Sequence, residues 1–315
     1  MKPRINLVAS GAFAPETVLS NADLEKMIDT TDAWILERTG ISERRVAGPD
    51  VQSHDLAVEA VRNLLAPFPG FKPDLLISST CTPGKMVPNQ ACEIGRRLGF
   101  NPKAGFEMNA ACSGFVYALG VAKSLMESNA DLYKTAVVSA GEKMTLVTDY
   151  KDRGTCILFG DAASAVLLSS EAEGHEILEV ELGLDPMSGD SVSMGAPGDG
   201  FYIRQDGRAL FKFAVGKMTK LLGGFLAKYG LALDGPYHVI PHHANLRMIQ
   251  AAADLKKIPM ERFVTNIDRF GNTSSASIGL ALDEAWRAGR FHPGDYVLFL
   301  AFGGGLSWAS AVVRW

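Results

Sequence analysis

Cysteine is scarce in this chain of 315 residues: only Cys81, Cys92, Cys112 and Cys156, with no C-x-x-C pair and no histidine at metal-ligand spacing. That excludes a zinc cluster and a disulfide framework, and it suits reduced thiols in a cytoplasmic protein. No apolar run approaches the roughly 20 residues that span a bilayer, and the start, MKPRINLVASGAFAP, is too interrupted for a signal peptide. Excess positive charge is missing too. The formal net charge is −4, which argues against nucleic acid as a partner and requires any acidic partner to meet a local basic patch. There is no G-x-G-x-x-G and no G-K-[ST] phosphate loop, so no nucleotide cofactor is expected.

What remains is ordinary globular composition, 47% hydrophobic, enough for a core without staples. Short apolar runs at 74–80, 135–142, 163–170, 237–243 and 296–305 read as buried strands. Between them, 55–66, 89–99, 113–128, 209–230, 246–257 and 274–290 carry helical spacing. The alternation predicts α/β layers on a mostly parallel sheet. The two parts of the chain echo each other. GFEMNAA runs into a small-residue turn and a helix at Cys112, and TNIDRFGNTSSAS does the same at Asn272. Each part closes on an apolar segment after glycine, FGDAASAVLL and FGGGLSWASAVV. A duplicated unit would set the two turns opposite one another. The stretch 185–207 is rich in Gly, Ser, Asp and Pro and reads as a long excursion near an active site or a plain surface connection.

Four segments carry candidate chemistry. In MNAACSGFVYAL, small residues around Cys112 allow a sharp turn at a helix N-terminus, where a thiol pKa is lowered; a small core cysteine is the competing reading. PHHAN (241–245) puts two histidines beyond a strand end, where a base or hydrogen-bond donor would serve, or a structural histidine would sit. In GNTSSAS (271–277), Asn272 offers an amide donor, or the segment merely caps a helix. AFGGGLSW (301–308) exposes backbone N–H groups fit for an oxyanion hole, or makes a tight turn.

These segments resemble those of the type III β-ketoacyl-(acyl carrier protein) synthases, thiolase-fold condensing enzymes. NADLEKMIDTTDAWILERTGISERR, AACSGF, DRGTCILFGDAA, ALFKFAV, PHHANLR, DRFGNTSSAS and AFGGGLSWASAVVRW follow the family pattern in order, over essentially the whole chain. The resemblance implies two pseudo-symmetric α/β halves in a layered αβαβα core, 1–170 with the nucleophile and 171–315 with His and Asn. It implies Cys112 as acyl acceptor, His242 and Asn272 as partners in decarboxylation, and the backbone N–H groups of Cys112 and Gly304 as oxyanion hole. Trp34 and Arg153 would sandwich the adenine of coenzyme A, with Thr30, Arg38, Asn245 and Arg247 along its channel. Val87 would stand at the acyl-pocket wall, smaller than is usual there. Lys212, Arg247, Lys256 and Lys257 would meet the acidic carrier protein, although a solvated helix face is the favoured reading of the lysine pair. The implied reaction joins an acyl-CoA primer to malonyl-(acyl carrier protein) by decarboxylative condensation, in a homodimer, with no metal or cofactor. A sister enzyme with another primer, a cysteine hydrolase or acyltransferase, and a non-catalytic carrier-binding module are the alternatives. His243 replaces the family's usual Gln, and the 185–207 excursion is shorter than usual.

Overall fold

The computed structural model describes residues 2–195 and 201–315. Nine strands among these residues form one sheet: β1 (Asn6–Phe13), β2 (Leu75–Ser79), β3 (Ala104–Met108), β4 (Thr135–Lys143), β5 (Asp161–Ser169), β6 (His175–Leu184), β7 (Tyr237–Pro241), β8 (Tyr296–Gly303) and β9 (Ser307–Arg314). Their order across the sheet is β7-β8-β9-β6-β1-β5-β4-β2-β3. The expectation of a mostly parallel sheet is corrected. Only β2–β3, β2–β4 and β7–β8 run parallel, and the other five neighbouring pairs are antiparallel. The cause is local. β8 turns directly into β9 through Gly304–Leu306, too short a link for a crossover, so the pair is a hairpin. Four strands are absent from the predicted ones: β1 and β6 are half-exposed and lack a continuous apolar run, β3 reads in sequence only as the segment before the cysteine turn, and β9 only as a closing apolar segment.

Each end of the sheet repeats one plan. β1-β5-β4-β2-β3 and β6-β9-β8-β7 share order and sense, and a parallel bridge of Phe263 to Val239 stands where a fifth strand would complete the second set. The sets meet through β1 and β6 in just two residue pairs. β2 and β5 are buried along their whole length, as strands covered on both faces must be.

The helices make three layers around these sets. The helices Gly114–Ser128 and Ser277–Arg287 lie in the middle, their Phe115, Leu119, Ile278 and Leu282 packed among strand residues from both sets. The helices Ser53–Leu65 and Gln90–Leu98 cover the outer face of the first set, and Gly207–Tyr229 and Leu246–Lys256 that of the second. The result is an αβαβα stack. It brings the N-termini of the two middle helices toward each other, each preceded by one of the small-residue turns. The observed helix bounds stay within a few residues of the predicted ones.

Candidate active site

Cys112 sits between β3 and the middle helix that begins at Gly114. The chain reverses through Ala111, held at φ 47, in the left-handed region that an L residue adopts only under constraint. Ser113 N donates to Ala110 O at 3.1 Å and Gly114 N to Ala111 O at 3.0 Å, so the helix starts at once. Gly114 is required there, since a Cβ would lie 1.9 Å from Ser79 Oγ. Gly303 closes the turn from the other side. A Cβ on it would lie 2.9 Å from both the Cys112 and Ser113 nitrogens. The glycine run therefore keeps the amides at the cysteine uncovered. Gly303, missed in the sequence, is the glycine that packing demands; Gly304 lies beside it on the same cavity.

Asn272 faces this turn from the second half. Gly271 (φ 65) packs against Leu158 O, Asn272 N donates to Leu158 O at 2.8 Å, and Gly160 N donates to Asn272 O at 3.1 Å. The DRGTCILFGDAA segment thus clamps the asparagine backbone. Ser274 N donates to Asn272 Oδ1 at 2.9 Å, which leaves Nδ2 as the free end of the carboxamide.

His242 follows β7, its N–H donating to Leu300 O at 2.7 Å and its Nδ1 lying 2.8 Å from Ser277 Oγ. Burial, reinforced by His243, holds its pKa down at about 3, so at neutral pH the ring is uncharged with one N–H to donate. His243 points elsewhere, with Nε2 3.3 Å from Val264 O, and does not border the cavity.

The Cys112 thiol corrects an expectation. Burial pushes it up to about 11; the Ser274 hydroxyl opposes that, and Glu142 adds to it. Burial outweighs the hydrogen bonds that favour the thiolate, and the resting pair is thiol and neutral imidazole.

Cys112, His242, Asn272, Gly303 and Gly304 all line one cavity of about 450 Å³. Trp34, Arg38, Asn245 and Arg247 lie on the same wall, joined by the apolar Leu210, Phe211, Phe213, Ala214 and Phe302. The helix from Gly207, expected from its spacing over 209–230 but not as part of the site, is thus a cavity wall. The excursion at 185–207 supplies Val192, Ile203 and Gln205; its residues 196–200 lie outside the described ones. Asn245 caps the helix Leu246–Lys256 by accepting from Arg247 N and ties it to Arg38 O, both at 2.9 Å.

Other expected residues fall elsewhere. Thr30 is buried, 8% exposed, and does not reach the cavity. Arg153 lies with its guanidinium 4.0 Å from the Trp34 ring centroid, so a purine would have to displace it to stack there. Val87 forms no wall of this chain's cavity: its side chain is 87% exposed on the segment before the helix Gln90–Leu98. Lys212 and Lys257 are exposed and Lys256 lies half-buried against Gly223, all off the cavity wall; Arg247 is exposed at its rim. No cluster of three metal-ligating side chains occurs among the described residues, and no helix there is long and apolar enough to cross a membrane.

Known proteins share this fold over nearly the whole chain. Residues 106–186 match the family model for 3-oxoacyl-[acyl-carrier-protein (ACP)] synthase III, and residues 226–315 match that for its C-terminal part. A β-ketoacyl-[acyl-carrier-protein] synthase III from Alkalilimnicola ehrlichii is 43% identical over 98% of both chains. The crystal structure of the synthase III from Thermus thermophilus superposes with a TM-score of 0.92 at 39% identity, covering 98% of this chain and 99% of that one. The priming β-ketosynthase of the R1128 polyketide pathway superposes at 0.90 with 33% identity, covering 99% of this chain and 97% of that one. A fold in two repeating parts, a thiol at a helical cap and a full-length likeness lead to one statement: the chain belongs to the β-ketoacyl-[acyl-carrier-protein] synthase III family of acyltransferases.

Proposed function

We propose that this chain condenses an acyl-CoA primer with malonyl-(acyl carrier protein) and so starts fatty-acid synthesis in the cytoplasm. The convergence of Cys112, His242 and Asn272 on a single cavity carries the reading. The Cys112 sulfur attacks the primer thioester, and its proton leaves with the coenzyme A sulfur. The backbone N–H groups of Cys112 and Gly304 hold the tetrahedral oxyanion. Malonyl thioester then enters and loses CO2. The enolate oxygen takes hydrogen bonds from the uncharged His242 ring and Asn272 Nδ2. The carbanion attacks the acyl-cysteine, and the released sulfur is reprotonated. A neutral imidazole suits this role, because enolate stabilisation needs a donor and not a strong base.

Trp34, Arg38, Asn245 and Arg247 would receive the coenzyme A along the outer cavity, with Arg153 swinging off the Trp34 ring to admit adenine. Arg247, at the rim, has the best placement to meet the carrier protein, with Lys212 exposed on the helix Gly207–Tyr229 and Lys257 exposed just past the end of the helix Leu246–Lys256. The repeated strand order supports a division of the chain near residue 170. The outer edge of β3 has no partner strand among the described residues, and an unpaired edge of that kind supports a homodimer built there.

A second reading keeps the chemistry and changes the primer. The aromatic wall of Phe211, Phe213 and Phe302 favours a longer or branched acyl group, as a specialised pathway would use. Intact-protein mass spectrometry after incubation with a mixed acyl-CoA pool decides between them. The expected result is one acyl adduct on Cys112, whose mass names the primer, with 3-oxoacyl carrier protein and CO2 after malonyl carrier protein is added. The same sample under native conditions should show two chains. No adduct, or free acid without CO2, overturns the proposal.

A further inference from the structure

Behind the Cys112 sulfur, on the side away from the cavity, lies a buried carboxylate that the condensation chemistry does not use. Glu142, near the end of β4, is fully buried. Its Oε2 accepts from Thr80 Oγ1 at 3.1 Å, Cys81 N at 3.0 Å and Thr82 Oγ1 at 2.9 Å. Its Oε1 accepts from Ser275 Oγ at 2.6 Å and Ser274 Oγ at 3.2 Å. A carboxylate taken out of water survives only with such a set of donors. Ser274 is the connecting residue. It is held at φ 50, and its Oγ lies 3.5 Å from Cys112 Sγ as well as within reach of Glu142. Its one hydroxyl proton can point to only one of the two.

We propose that Glu142 and Ser274 together set the reactivity of the Cys112 sulfur: the carboxylate positions the serine hydroxyl beside the sulfur and, by its charge, keeps the resting nucleophile a thiol. In the resting site the hydroxyl donates to Glu142 and turns its lone pairs toward the thiol. When the sulfur attacks an acyl thioester, negative charge develops on it and the hydroxyl rotates to donate there. Glu142 then keeps Thr80, Cys81 N, Thr82, Ser275 and, at 3.5 Å, the Cys81 thiol as donors, so the rotation strands no buried charge. The thiol proton departs with the leaving thiolate, and nothing is oxidised or reduced. Ser274 thus acts on the reacting atom, and Glu142 is a positioning residue acting through it.

The other titratable groups around this sulfur are few. Cys81 Sγ lies 3.4 Å from Ser274 Oγ, and its thiol is raised by burial and by Glu142. His242 borders the same cavity. Glu107 on β3 lies farther out, its carboxyl raised by burial and slightly by Glu142. Lys143 points away, its Nζ donating to the carbonyls of Gly48, Pro49 and Val51.

The inference rests on Cys112 being the nucleophile, but its first test needs no acyl donor. Alkylation of Cys112 by iodoacetamide, followed from pH 7 to 10 by peptide mass spectrometry, reads the thiolate fraction at that residue and separates it from exposed Cys92. Glu142→Gln should speed alkylation by about tenfold from pH 7 to 9, the equivalent of one pH unit, with the gain narrowing toward pH 10. Ser274→Ala should slow it, and should reduce acyl transfer about tenfold more than malonyl decarboxylation. A loosened site would raise alkylation in both variants. Equal, same-direction or absent effects overturn the inference, whereas a missing acyl adduct in the unaltered enzyme would overturn only the proposed reaction. Should Glu142→Gln fail to fold, the split between the two half-reactions in Ser274→Ala carries the test alone.

Discussion

His242 and Asn272 look alike in outline, each a polar group buried except for one face on the cavity, yet different contacts fix their orientation. Ser274 N occupies Asn272 Oδ1, so the carboxamide can only present its N–H end to a substrate. Ser277 Oγ lies 2.8 Å from His242 Nδ1 and holds the ring in place; donating its proton there leaves the one ring N–H on Nε2. Neither residue hydrogen-bonds to the sulfur. Their removal should therefore spare the first half-reaction. His242→Ala and Asn272→Ala are each expected to cost about 100- to 1000-fold in malonyl decarboxylation, the usual loss of an oxyanion donor. Acyl loading of Cys112 should change far less. Separate assays of radiolabelled acyl transfer and CO2 release check this, and equal loss of both would show the two side chains to be needed for nucleophilic attack as well.

At the scale of elements, the cysteine turn is held between the ends of β2 and β8. Gly303 is where β8 comes nearest, and every atom its Cβ would meet is backbone: Cys112 N, Ser113 N and Ala110 O. No side chain can swing away, so Gly303→Ala must push the turn. Overpacking of this kind costs about 1–3 kcal/mol. Acylation should fall at least about tenfold further than in Gly304→Ala, whose Cβ would meet only side chains, at 3.4 Å or beyond. Acyl-transfer rates and thermal midpoints of the two variants test it, and equal behaviour would contradict the close approach. The same turn shows what sequence can and cannot convey. The strands β2, β4, β5, β7 and β8, buried at all or all but one of their positions, were legible because burial on both faces writes a continuous apolar run. β1 and β6 were not, because a strand exposed in part mixes Ser, Gly and Glu into its run. Cys112 and His242 stood out by their place just past strand-like runs, and Asn272 by its place in the GNTSSAS turn. Glu142 did not: its link to Ser274 spans 132 positions and exists only once the halves have met. Thr30 and Val87 were placed by family pattern alone, and their burial and exposure in this chain put them off its cavity wall.

Across the whole molecule, burial of imidazole makes the protein sensitive to mild acid. Five of the six histidines, His54, His175, His238, His242 and His243, are held below their ordinary pKa, each chiefly by burial. His242 and His243 lie deepest, at about 3 and about 4. Between pH 6.5 and about 4 the unfolded chain therefore binds protons that the native state refuses. Stability is complete above the unfolded value near 6.5 and drains away as pH falls toward the folded values. Each fully buried imidazole contributes a slope of about 1.4 kcal/mol per pH unit in that window. Carboxylates such as Glu93, held down to about 2 by Arg96, begin to add their own loss only below about 4.5. The window between 6.5 and 5 thus belongs to histidine. Urea unfolding followed from pH 8 to 5 should show a level plateau and then a decline. His243→Gln should flatten that decline by about one proton, since Gln cannot take one up, while a ring that never touches the cavity can be lost without removing a contact to substrate. A flat profile down to pH 5 in the unaltered protein, or an unchanged slope in His243→Gln, would mean that these imidazoles are already protonated in the folded state.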